Sequence, residues 1–240
     1  DLKNMKNYID KFTNKKLGIF LTFIFLFTVT LQLFFRENHI LLIYGLKDLI
    51  HFDNLKNDWV TEFTNHIPVY TALTFILTKF FTLKSLYITH YVLLFLCTYS
   101  LFLIFNKSYQ FNKSQIILWF LLYIILFHEK SYFVGVAGLS VINQTLQPAS
   151  FGVFFFISLA FYSHSKIFLS LFSLCIAVYF HPTYLIHSIF FVTGYLVHNF
   201  LIRKSIIFFK IILIYSCLIL PVIFFLFHNF IINEADINLL

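Results

Sequence analysis

Long apolar runs separated by short polar segments make up most of this chain, and runs of that length predict helices rather than strands. The first run, Leu17–Phe35, follows a lysine-rich start (Lys3, Lys6, Lys11, Lys15, Lys16). At ~1.5 Å per residue it covers a ~30 Å hydrocarbon core. Further runs lie at Leu86–Phe105, Ser114–Phe127, Ala149–Tyr162, Ile167–Phe180, Thr183–Ile202 and Ile206–Phe227. Ile67–Thr82 is also apolar but short, opens with Pro68 and carries Lys79 near its end. It either spans a bilayer or lies in, or re-enters from, the outer interface.

Charge decides between those two. If Ile67–Thr82 spans, Lys107, Lys113, Arg203 and Lys204 fall outside the membrane; if it does not, every basic cluster between spans falls on the cytoplasmic side. The second arrangement predicts an all-α fold: a polytopic transmembrane helix bundle of about seven spans plus an outer interfacial or re-entrant helix. The N-terminus is then cytoplasmic, with loops 106–113, 163–166 and 203–204 on the same side. Segments 36–85, 128–148, 181–182 and 228–240 face the periplasm or cell exterior. Eight of the ten acidic residues fall outside on this topology, a segregation independent of the basic clusters that define it. With neither an internal repeat nor a Gly/Ser linker, 1–240 reads as one transmembrane domain.

Composition agrees. The chain is 60% hydrophobic and 11% charged, with mean hydropathy +0.86, whereas a soluble domain is nearer half apolar and a quarter charged. The lipid bilayer is the expected partner. The net charge of +7 does not point to nucleic acid, because the basic residues sit in small groups between apolar runs. Phe 36 and Tyr 14 against Gly 6 reflect AT-rich coding more than function. Cys97, Cys175 and Cys217 lie inside apolar runs without metal-type spacing and read as small buried hydrophobes. Leu17–Phe35 lacks the small-residue cleavage site of a signal peptide. Met5 has the look of a natural start, and the ending INEADINLL that of a chain truncated at its C-terminus.

Candidate chemistry concentrates in Arg36–His66, which holds five of the ten acids (Glu37, Asp48, Asp53, Asp58, Glu62) and His39, His51 and His66. Asp58, Glu62 and His66 are spaced i, i+4, i+8 and share one face if that segment is helical. With Asp53, they could hold a divalent cation, or one carboxylate could act as general base. For any single acid the default reading is the solvated side of a surface helix. Asp58 stands beside Trp59, an interfacial anchor that would fix its depth. His128 and Glu129 open a second outer segment carrying Lys130, Gly135, Gly138, Gln144 and Gln147, too polar to lie in lipid. They either complete a site with the first segment or mark the water boundary. His181, before Pro182, could meet a phosphate at a helix start or cap that helix. His90 and His187 lie within spans. Asn143-Gln144-Thr145 matches a common glycan-acceptor triplet. The sequence has no phosphate-cradling glycine loop, nucleophile elbow, HExxH or CxxC, which argues against ATPases, serine hydrolases and zinc proteases of familiar kinds.

Asn57-Asp58-Trp59 is followed by Ile67-Pro68-Val69-Tyr70 leading into TALTFILTKFFTLKSLYITHYVLLFL, then by LQPASFG and FHPTYLIH. This order of parts resembles the GT-C superfamily of integral membrane glycosyltransferases. The likeness covers nearly the whole chain and extends to bacterial multi-pass proteins of undefined function. The adjacent acidic doublet of many members is absent, and Val69 replaces their second proline. The resemblance implies a polyprenyl-phosphate sugar entering from the outer leaflet of a bacterial inner or plasma membrane. Asp53 or Asp58 would then be general base or metal ligand, and Lys79, Lys84 and Lys130 would offset the phosphate charge. Two other classes remain open: a transporter or flippase-like protein for a lipid-linked or small anionic substrate, and a non-catalytic assembly subunit.

Overall fold

The computed structural model describes residues 13–30, 68–81, 84–128, 146, 148–203 and 207–237. Eight α-helices occur among them: α1 (Asn14–Thr30), α2 (Pro68–Phe80), α3 (Lys84–Tyr109), α4 (Lys113–His128), α5 (Val153–Ser163), α6 (Ile167–Phe180), α7 (Tyr184–Arg203) and α8 (Ile207–Ile237). A 3-10 turn, Pro148–Gly152, leads into α5.

Local chemistry sets several ends. Asn112 and Gln115 form a reciprocal capping box at the start of α4: each backbone N–H donates to the other's side-chain oxygen at 2.9 Å. Pro68 occupies the first turn of α2, where its missing N–H costs nothing. The α5–α6 reversal passes through Ser165 at φ 61°, and the N–H groups of His164, Ser165 and Lys166 return to carbonyls of the last turn of α5.

Three helical segments, Ser85–Tyr109, Tyr184–Leu201 and Phe209–Phe227, are long and apolar enough to cross a membrane. Val69–Phe80, Lys113–Leu126, Pro148–Ser163 and Ile167–Phe180 are shorter apolar helices. At ~1.5 Å per residue, α2 spans only ~20 Å, short of a ~30 Å core.

Three boundaries differ from the sequence expectation. The run expected to start as a span at Ala149 first makes the 3-10 turn, and Gly152, a poor helix former, stands where that turn passes into α5. The expected loop 106–113 shrinks to three residues, since Asn106–Tyr109 contains nothing that breaks α3. The expected outer segment 228–240 is helical to Ile237: its polar residues include no glycine or proline, and α8 even runs through Pro221.

The helices form two groups. Leu17, Phe102, Ile116 and Phe120, then Phe25 and Leu94, join α1, α3 and α4. The larger core, including Leu171, Leu174, Val178, Val192, Tyr195, Ile211 and Ile219, joins α5 to α8. Cys97 of α3 against Val153 and Ile157 of α5 connects the groups.

These contacts also align the ends. The Asn14 side-chain amide donates to the Phe111 carbonyl at 2.8 Å, so α1 starts beside the α3–α4 turn. Tyr162 meets His198, which brings the end of α7 to the α5–α6 turn. Lys15, Lys16, Lys107, Lys113, Lys166 and Arg203 therefore share one end, here called the basic end.

Candidate functional site

At the opposite, far end, the helices stop at different levels. Val153 lies beside Cys97, so α5 begins well inside the tip of α3. The first turns of α3, from Lys84, extend roughly 20 Å beyond it at ~1.5 Å per residue. The Tyr179 hydroxyl donates to the Leu218 carbonyl at 3.1 Å, which sets Leu218 level with the end of α6. The rest of α8 continues ~28 Å past that level. Aromatic rings pack where α2, the first turns of α3, the 3-10 turn and the end of α6 meet. Phe151 and Phe180 stack with centroids 3.7 Å apart, and Tyr70 of α2 meets Phe151 edge-on at 6.1 Å.

Two tyrosine hydroxyls hold the irregular backbone there. Tyr70 donates to the Leu146 carbonyl at 3.3 Å and Tyr184 to the Ala149 carbonyl at 2.8 Å. Backbone outside regular helix needs such partners when water is excluded. Apart from the resemblance, whose segments Ile67-Pro68-Val69-Tyr70 and FHPTYLIH contain them, nothing in the sequence pattern singles out Tyr70, Thr183 or Tyr184. Their one signal is position, a polar-tipped residue at each helix start.

His181 occupies the corner between α6 and α7. Its N–H caps Ala177 and its carbonyl accepts the Tyr184 N–H at 2.9 Å. The ring Nδ1 lies 2.5 Å from the Thr183 hydroxyl and the ring centroid 4.9 Å from that of Tyr184. Burial lowers the imidazole pKa below its ordinary 6.5, partly countered by a backbone hydrogen bond. The neutral ring is thus favoured. Which of Nδ1 and the Thr183 hydroxyl donates depends on the ring tautomer; only the tautomer protonated at Nε2 could donate from that nitrogen to an anionic oxygen. His181 is both cap and candidate donor.

Among the other expected site residues, Lys79 lies in the last turn of α2, Lys84 opens α3 and His128 closes α4, all on the far-end side. Asp53, Asp58, Glu62, His66, Glu129, Lys130 and Gln147 lie outside the described residues. Their flanks do not: α1 and α4 both run toward the far end, where Leu146 and α2 stand. Of the two histidines expected inside spans, His90 is buried in α3 and His187 packs between Phe155 and Tyr184. Among the described residues no three His, Cys, Asp or Glu side chains gather as a metal site.

No protein-family model, curated protein or solved structure matches this chain.

Proposed function

We propose that the protein is a GT-C-like membrane glycosyltransferase, moving a sugar from a polyprenyl-phosphate donor to an acceptor hydroxyl at the outer face of the membrane. Seven spans cross the bilayer, with the basic end in the cytoplasm. Asp53 or Asp58 takes the proton of the acceptor hydroxyl as its oxygen bonds to the anomeric carbon. The bond from that carbon to the phosphate oxygen breaks, and polyprenyl phosphate leaves with the electron pair. If a divalent cation takes part, Asp53, Asp58, Glu62 and His66 are the residues that would hold it. Lys79, Lys84 and Lys130 would offset the phosphate charge, with His66, His128, Glu129, Gln147 and His181 as the other substrate-binding candidates.

One observation carries this reading. The segment between α1 and α2 and the segment between α4 and Leu146, which hold the carboxylates, both join the bundle at the far end. The lysines of the opposite end supply the cytoplasmic signature. The test is sugar transfer in membrane vesicles from a radiolabelled polyprenyl-phosphate donor, comparing the parent chain with Asp53→Asn and Asp58→Asn. Loss of at least ~100-fold in one variant is expected of a general base. Unchanged transfer in both would remove these residues from the chemistry.

A further inference from the structure

The turn joining α2 to α3 carries two exposed phenylalanines, Phe80 at 69% and Phe81 at 66%, in the segment Lys79-Phe80-Phe81-Thr82-Leu83-Lys84. The outward stripe of α2 is also apolar. Ala72, Ile76 and Phe80, at i, i+4 and i+8, are exposed, while Tyr70 and Thr74 are buried against the bundle. A helix facing water would reverse that pattern. On α3 the exposed positions next to the turn, Ile88 and Val92, are apolar as well.

The length of α3 suits a bilayer: positions 84 and 107 lie near its two ends, about 35 Å apart at ~1.5 Å per residue, and across a ~30 Å core both would fall at headgroup level. The turn is held there: the Ser85 hydroxyl donates to the Leu77 carbonyl at 3.0 Å. Lys79 stands exposed over the rings of Phe75 and Phe80, its nitrogen 5.2 and 5.9 Å from their centroids. The stem of a lysine so placed runs along apolar surface while its ammonium reaches toward headgroups. Between positions 67 and 84 there are two lysines and no acid, so the charge presented is purely positive.

We propose that this turn is a binding site for an anionic phospholipid of the far-end leaflet. Phe80 and Phe81 enter the apolar edge of the leaflet and Lys79 pairs with the lipid phosphate, Lys84 adding a second positive charge at the first position of α3. The site rests on the bilayer reading of the bundle and draws on two of the lysines given above to the donor phosphate; a spin-label experiment at the turn and the Asp58→Asn assay fail independently.

Cys217 is exposed whereas Cys97 and Cys175 are buried, so Cys217→Ser gives a background in which one introduced cysteine takes a nitroxide label. The full chain carrying Phe81→Cys is reconstituted in phosphatidylcholine vesicles, with or without phosphatidylglycerol. A label at Ser165→Cys, in the exposed basic-end turn, is the aqueous control. At 81 the label should collide more often with dissolved oxygen than with a water-soluble nickel chelate, the reverse of the control. Its mobility should fall when phosphatidylglycerol is present, and Lys79→Gln with Lys84→Gln should abolish that fall. Nickel accessibility equal to the control would place the turn in water and overturn the site. Shielding from both reagents would mean that protein covers the turn, and would overturn the site as well. Identical spectra in both vesicle types would overturn the anionic-lipid pairing.

Discussion

The two helix groups are held together in different ways. Around α1, α3 and α4 the contacts are mainly ring on ring: Phe25 with Tyr123 at 5.1 Å, Phe23 with Phe95 at 4.9 Å, and Phe102 with Phe120 at 5.6 Å. Trp119 stacks on Tyr123 at 5.2 Å within α4. A 3.4 Å contact between the Thr98 and Tyr123 hydroxyls adds a side-chain hydrogen bond between α3 and α4. The α5–α8 group instead has hydroxyls running through its core. Ser158 lies 2.9 Å from the Ser170 hydroxyl and 2.8 Å from that of Tyr195, joining α5, α6 and α7. Tyr162 meets the His198 Nδ1 at 2.7 Å and accepts from Asn199 at 2.8 Å, and Ser188 meets Tyr215 of α8.

The contrast shows two answers to one problem. Between helices in lipid there is little hydrophobic driving force, because acyl chains are as apolar as leucine. Close ring packing and interhelical hydrogen bonds remain. The first group depends on shape and so has little tolerance for added volume. The second depends on small polar side chains meeting pairwise, and each of its bonds is worth less but several act together.

Gly18 gives the sharpest test of that difference. A Cβ there would fall 2.1 Å from the ring of Phe102, which is fully buried among Tyr99, Trp119 and Phe120 and cannot step aside. Gly18→Ala is expected to lose about 3 kcal/mol or more, overpacking exceeding the ~1 kcal/mol helix-propensity gain of alanine. Reversible unfolding in bicelles measures it, and a neutral result would break the claim that shape holds this group. A smaller effect is expected from Tyr195→Phe, which removes one hydroxyl while Ser158 keeps Ser170: a loss of about 0.6–1 kcal/mol in the same assay. Should it match Gly18→Ala, the network would be far more cooperative than pairwise bonding allows. The smallest change belongs to Gly194→Ala in α7, where an added Cβ meets nothing within 4 Å. Stability should rise by no more than ~1 kcal/mol, from helix propensity alone.

Much of the fold was legible because apolar length is a local property. Ile167–Phe180 coincides with α6, and Pro68 and the His181-Pro182 corner fall at the helix starts where proline chemistry puts them. The extension of α8 was not legible, since a fall in hydropathy after Phe227 marks a change of surroundings and not the end of a helix. The candidate site was read from charge, and of its members only Lys79, Lys84, His128 and His181 fall among described residues. The Ser158–Tyr195 pairing was invisible because its partners are 37 residues apart and look like ordinary small or aromatic core positions.

The sequence by itself determined that the chain is helical and that its lysines and acids separate along it, since both follow from the order of apolar and charged residues. Only the tertiary structure decided that Gly18 is a contact point for Phe102, that Ser158, Ser170 and Tyr195 meet, and that Phe80 and Phe81 stand exposed at the level of Lys84. Those facts depend on which faces of different helices come together. Helical periodicity fixes the faces but carries no information about their partners.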